Sequence, residues 1–314
     1  DTAGNIGHAT GGRVPVRRRG DGSRPVPVTD GTDAWDGFIP FDAMPGQVNP
    51  ERGWVGNANH RTVSRDFPTP YSSYFAASWR YRRMLELLGS KPTFTAGDHW
   101  AFMRDTKNLM AARIAPLMSA ALTGHSDTQP AGEVLAAWDH RDEPGAAAPA
   151  IFQSVYRHFA RRVFEDDLGP ELTARYLGSY YLWHERLALL LEDADSDWFD
   201  DQRTPGRETR DDLFHLAGQD ALAELRPVLG DDVRRWEWGQ VHTVTFFSPL
   251  VPGNAAAGIL GGGVHPKEGS GETLNRATFR FDRPYAATSI ASLRLVADLG
   301  DPDKVMAVLT GGAS

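Results

Sequence analysis

The hydrophobic period of this chain changes twice. Residues 1–70 carry short apolar runs broken by Gly, Pro and Asn, and residues 72–230 space their apolar side chains as helices do. From residue 236 the pattern alternates again, as strands do. A chain ordered as strands, a long helical stretch and strands once more excludes an all-helical bundle. It predicts an α+β fold whose sheet is closed by segments distant in sequence.

The helical stretch has internal punctuation. Tyr74, Trp79, Tyr81, Met84, Leu87 and Leu88 recur at helical spacing up to Gly89. Thr95 followed by Asp98 reads as a capping box, opening a helix with Trp100, Met103, Leu109, Met110, Ile114, Leu117 and Met118, which Pro116 should bend or break. Further helices are expected at 131–139, 149–166, 170–193 and 210–226. Strands are expected over 12–17, 54–59, 238–247, 273–281, 292–299 and 305–309.

With 41% hydrophobic and 24% charged residues in 314, the chain can build a core. A formal net charge of -8 gives no general attraction to nucleic acid. The basic run Arg17-Arg18-Arg19 is followed by Asp21 and has no interleaved aromatics, so it reads as a solvated loop. No apolar stretch approaches the roughly 18 residues that span a bilayer. There is no cysteine, which removes disulfides, thiol nucleophiles and zinc ribbons.

Self-contained catalytic motifs fail one by one. Gly261-Gly262-Gly263 and Gly311-Gly312 fit neither a Walker loop nor a dinucleotide fingerprint and read as turns. His184-Glu185 is followed by Ala188, so no metalloprotease helix forms. The acidic loop Asp193, Asp195, Asp197, Asp200 and Asp201 places Trp198 and Thr204 where a calcium loop needs Gly and Glu. His242 lies in an expected strand after Trp238-Gly239; a hydrogen-bonded structural role and a substrate-binding role both stay open.

Three stretches together resemble the penicillin amidase family, the penicillin acylases among the N-terminal-nucleophile (Ntn) hydrolases. The first is Asp1-Thr2-Ala3-Gly4-Asn5-Ile6-Gly7-His8 with Gly12-Arg13-Val14-Pro15. The second runs from Trp35-Asp36-Gly37-Phe38-Ile39-Pro40-Phe41 through Asn49-Pro50 and Gly53 to Ala58-Asn59. The third is Lys91-Pro92 with Thr95 and Trp100. The likeness is close over 1–123, weak over 124–235, and recognisable again at Trp238-Gly239, His242 and Thr273-Leu274-Asn275-Arg276.

The resemblance implies part of an αββα sandwich with a long helical insertion. It implies segments 1–71, holding the oxyanion Asn, 72–235, helical, and 236–314, return strands, all within one intertwined domain truncated at both ends. In the family a precursor cleaves itself, and the new N-terminal Ser attacks an amide with its own α-amine as base. Backbone N–H groups and one Asn amide hold the tetrahedral oxyanion. By residue matching that Asn is Asn59, with Asn57, on the same face of a strand, as its rival. Arg80 matches a family arginine that supports the site, the plainer reading being a helix-surface arginine.

The chain opens on Asp1 and closes on Ser314, so the resemblance implies a central-to-late piece of the large chain. Such a piece lacks the nucleophile and would be inactive alone. Its expected partners are a small-molecule amide, of β-lactam, acyl-homoserine lactone or lipopeptide type, and the remaining acylase segments, with no nucleic acid and no membrane. The family calcium site draws a carboxylate from the segment between Pro68 and Arg80, where this sequence has none, so no cofactor and no metal are expected. The expected location is periplasmic or secreted. From another class, a non-catalytic secreted binding or scaffold protein could keep the same fold.

Overall fold

The structure is a computed structural model that describes residues 1–27, 31, 35–247 and 262–309. Gly261 and Gly311-Gly312 lie outside the described residues. The chain divides into two compact units, Asp1–Tyr81 and Arg82–Ser314.

The first unit is built from short strands and turns. β1 (Gly7–Ala9) pairs antiparallel with β4 (Gly46–Val48), and β2 (Pro15–Arg17) with β3 (Trp35–Phe38). Polar side chains fix the turns between them. The Asp1 carboxylate accepts from the backbone N–H groups of Ala3 and Asn5, both at 2.9 Å. Asn49 accepts from Ile6 N–H at 2.9 Å and donates to the Asn5 side chain at 2.7 Å.

Residues 54–59 do not form the expected strand: the segment runs irregularly into a bend at 58–60. Asn57 is the cause, because its Oδ1 captures the backbone N–H of Asn59 at 2.6 Å. A side chain that bonds the backbone two residues on makes an Asx turn, which competes with a strand ladder.

The second unit carries the helices. α1 (Trp79–Leu88) begins in the first unit and continues into this one. α2 (Ala96–Phe102) opens with the expected capping box: Thr95 Oγ1 accepts from Asp98 N–H at 3.2 Å, and the Asp98 carboxylate accepts from Thr95 N–H at 2.7 Å. The single helix expected from there to Met118 is two. α3 (Leu109–Thr123) starts afresh from Asn108, whose Oδ1 accepts from Ala111 N–H at 2.9 Å. Pro116 sits inside α3 without ending it.

α4 (Gln129–Ala136), α5 (Ala148–Gly178), α6 (Tyr180–Leu190), α7 (Arg210–Leu229) and a single turn, α8 (Trp238–Val241), follow. α5 kinks at Gly169, where φ is +72°, just before Pro170. α5 and α7 pack through Phe159 and Phe214, whose rings stack 4.1 Å apart. Phe152, Tyr156, Trp183 and Phe199 complete a fully buried aromatic core. Among the described residues no helix is long and apolar enough to cross a membrane.

After α8 the described strands form three antiparallel pairs. β5 (Thr243–Phe246) pairs with β6 (Gly263–Pro266), β7 (Ala277–Thr278) with β8 (Ser289–Ile290), and β9 (Leu293–Ala297) with β10 (Val305–Leu309). Trp238–Val241 is helical where a strand was expected, and only Ala277–Thr278 of the expected strand 273–281 is one.

Residues 267–276 instead form a buried polar loop. Ser270 N–H donates to Thr273 Oγ1 at 2.9 Å, Gly269 N–H to the Asp142 carbonyl at 2.7 Å, and Asn275 N–H to the Asp105 carbonyl at 2.9 Å. Gly269 holds φ +83°, and a Cβ there would stand 2.0 Å from the Asn275 carbonyl oxygen.

Candidate active site

Asn59 and Arg80, the second residue of α1, are separated by 20 residues, nearly all irregular chain, and meet in the first unit. Arg80 Nη2 donates to Asn59 Oδ1 at 2.9 Å. A guanidinium can only donate, so this bond fixes which way the amide faces: Oδ1 toward the arginine, Nδ2 away from it. Arg80 is buried at 8% exposure, whereas Asn59 is exposed. A buried cation on Oδ1 also polarises the amide and strengthens the N–H groups on its other end.

The backbone presents that amide deliberately. Asn59 holds φ +63°, a left-handed conformation that Asn tolerates better than most residues. Its carbonyl accepts from Ala76 N–H at 2.8 Å, which ties the turn to the residues leading into α1. The same turn gives Asn57 its role, since its Oδ1 is occupied by the Asn59 backbone.

Three neighbours, His60, Tyr81 and Arg52, were not singled out as site residues by sequence. The His60 ring lies on the Tyr81 ring with centroids 3.6 Å apart and planes 10° from parallel. Arg52 donates to the Tyr81 hydroxyl at 3.0 Å, to Gln47 Oε1 at 2.7 Å and to the Trp54 carbonyl at 2.9 Å. Its guanidinium lies 4.2 Å from the Trp54 ring centroid. Burial, then the charges of Arg52 and Arg80, hold the His60 pKa below its ordinary value. The one available signal was adjacency, since His60 follows Asn59 and Tyr81 follows Arg80.

A cavity of about 490 Å³ in the same unit is lined by His8, Gln47, Arg52, Asn57, His60 and Tyr81, among others. Asn57 reaches it; Asn59 and Arg80 are not part of its lining.

His242 lies in the second unit and is fully buried. Its ring stacks on Trp238 at 4.4 Å, and Nδ1 donates to the Tyr285 carbonyl. Burial pushes its pKa down to about 4, against the contrary pull of the Tyr285 carbonyl. These contacts fix α8 against the loop at Tyr285.

Two arginines pair with carboxylates of the acidic loop. Arg203 bonds Asp201 at 2.8 and 2.7 Å, and Arg207 bonds Asp197 at 2.7 Å. Between Pro68 and Arg80 there is no Asp or Glu, so that segment does not offer the carboxylate oxygens calcium prefers.

One buried carboxylate stands apart from the site. Asp142 is fully buried; its Oδ2 accepts from Asn108 Nδ2 at 3.0 Å, and its Oδ1 has no partner among the described residues. Burial raises its pKa to about 7, although Ser270 and Asn108 pull the other way.

The penicillin amidase family model matches residues 1–314. The chain is 28% identical, over 99% of its length, to an acyl-homoserine lactone acylase of Pseudomonas fluorescens, covering 40% of that protein. It is 30% identical, over all of its length, to the penicillin acylase 2 proenzyme of Pseudomonas sp. (strain SE83), again covering 40%. Thus the chain spans about 40% of the curated relatives it matches. The chain resembles the thermostable penicillin G acylase from Alcaligenes faecalis in structure, with a TM-score of 0.56 at 21% identity, over 75% of its own length and 47% of the acylase chain. That likeness shows the fold, a mixed helix-and-strand fold of the Ntn-hydrolase kind.

Proposed function

Because the chain belongs to the penicillin amidase family, we propose that it is part of an acylase that hydrolyses the amide of an N-acylated small molecule. The observation that carries this reading is the Arg80–Asn59 hydrogen bond on a left-handed turn. It leaves an oriented, polarised amide N–H exposed, which is what a tetrahedral intermediate needs from an oxyanion donor.

In this reading Asn59 Nδ2 donates to the carbonyl oxygen of the scissile amide as negative charge develops there. Arg80 does not touch the substrate; it sets the direction of the donor. The nucleophile is an N-terminal serine in the part of the acylase that this chain does not span, freed when a precursor cleaves itself. Acyl-homoserine lactones and penicillins, named for the relatives above, are the two substrate types to try first. No step is assigned to a metal, and the working compartment is periplasmic or extracellular.

The test is turnover in the complete, processed enzyme. Asn59→Ala should lower kcat by roughly 10²–10³, with a smaller change in KM. Asn57→Asp keeps the oxygen that holds the turn and should stay within a few-fold of wild type. Loss of turnover in Asn57→Asp with none in Asn59→Ala would move the donor to Asn57.

A further inference from the structure

Resting on that reading of Asn59, we propose that His60 is a positioning residue, whose ring stacked on Tyr81 holds the Asn59 amide in register with Arg80.

A single hydrogen bond is a swivel. The Arg80–Asn59 contact fixes the direction of the amide but leaves the turn free to rock about it. The backbone bond from Ala76 N–H to the Asn59 carbonyl, at 2.8 Å, removes part of that freedom. The stack at 3.6 Å removes more, because it clamps the next residue of the turn to the next residue of the helix. Two adjacent residues on the turn, 59 and 60, thereby engage two adjacent residues of α1, 80 and 81.

The clamp is itself anchored. Tyr81 is held through its hydroxyl by Arg52, and Arg52 reaches Gln47 on β4. A continuous set of contacts therefore runs from strand to guanidinium to phenol to imidazole to the turn. The ring, and not its hydrogen bonding, does the holding: Ala58 N–H stands 3.5 Å from His60 Nδ1, at the limit of a hydrogen bond. A neutral imidazole also suits a place beside Arg52 and Arg80, where a third cation would be repelled.

The prediction separates positioning from mere stability. In the complete enzyme His60→Ala should lower kcat about 10- to 100-fold with KM within about twofold, the loss expected for a slightly misplaced donor. His60→Phe keeps a stacking ring and should restore most of kcat, whereas His60→Gln should not. Tyr81→Leu removes the stack from the other side and should copy His60→Ala. The direct readout is the Asn59 side-chain NH₂ pair in ¹⁵N spectra, expected to shift or broaden in His60→Ala and Tyr81→Leu but not in His60→Phe.

Wild-type kcat in His60→Ala with an unmoved Asn59 resonance overturns the proposal. So does a His60→Phe variant as impaired as His60→Ala. Should Asn59→Ala prove fully active, the oxyanion reading fails, while the Asn59 resonance still decides whether the stack positions that amide.

Discussion

The two units hold their residues in place by different means. In Asp1–Tyr81 the buried apolar side chains among the described residues are Ile39, Ala58, Ala76, Ala77 and Trp79. Ala58 adjoins Asn59, and Ala76, Ala77 and Trp79 lie within four residues of Arg80 in sequence, so what little this unit buries is gathered near the candidate site. The rest of it is organised by Asx turns, side-chain amides and left-handed residues, with β1, β3 and β4 exposed along their length. In the second unit the helices close on stacked aromatic rings. A net hydrogen bond contributes about 0.5–1.5 kcal/mol and a buried Phe several times that. The first arrangement therefore gives orientation at little stability, and the second gives stability.

Breaking the aromatic core should have the largest effect. Phe159→Ala, at a fully buried position stacked on Phe214, should destabilise the second unit by about 3–5 kcal/mol. Hydrogen exchange of α5 and α7 amides reads this without assuming one transition for the whole chain. A loss under about 1 kcal/mol would erase the contrast drawn above.

The next effect is one of pH. The Asp142 carboxyl titrates at about 7 when folded, above its ordinary 3.8, so the folded state binds this proton more tightly. Its contribution is fully present below pH 3.8 and is lost as pH rises to about 7. Within that window one proton gives a slope of about 1.4 kcal/mol per pH unit. Asp142→Asn should remove that slope, seen as the difference between the two proteins' stability curves from pH 4 to pH 7.

The smallest effect should come from the surface of the first unit. Arg18 and Asp36 pair at 2.9 Å with both side chains well exposed. Arg18→Ala should change stability by no more than about 0.5 kcal/mol. A larger loss would mean that charge, and not turn chemistry, holds β2 and β3 together.

Much of this was legible in advance, for local reasons. The capping box at Thr95 follows from residues within a turn of each other, whereas the gap expected between helices 149–166 and 170–193 is only a kink inside α5, which ends at Gly178. The order of strand, helix and strand followed from hydrophobic period alone. The break between α2 and α3 falls at Asn108 and not at Pro116: Asn108 caps α3 locally through Ala111 N–H, and the turn before it is held from far along the chain, Asn108 N–H donating to the His140 carbonyl and Asp142 N–H to the Thr106 carbonyl.

At the site, matching residues to a family picked out Asn59 and Arg80, but their meeting rests on a shape that alternation misread. The segment 54–59 looks like a strand until Asn57 is seen to take the Asn59 N–H. His60 left no mark in spacing and Tyr81 marked only a helix, since a ring stack between a loop residue and a helix residue has no period.

The loop at Gly269 constrains how this chain can change by descent. Because a Cβ there would collide with the Asn275 carbonyl, and φ is already left-handed, position 269 has no neutral substitutes. It can be lost only together with the turn made by Ser270, Thr273 and Asn275. Residues 267–276 should therefore be inherited as one block, and a relative carrying anything but glycine at 269 should have rebuilt all of it.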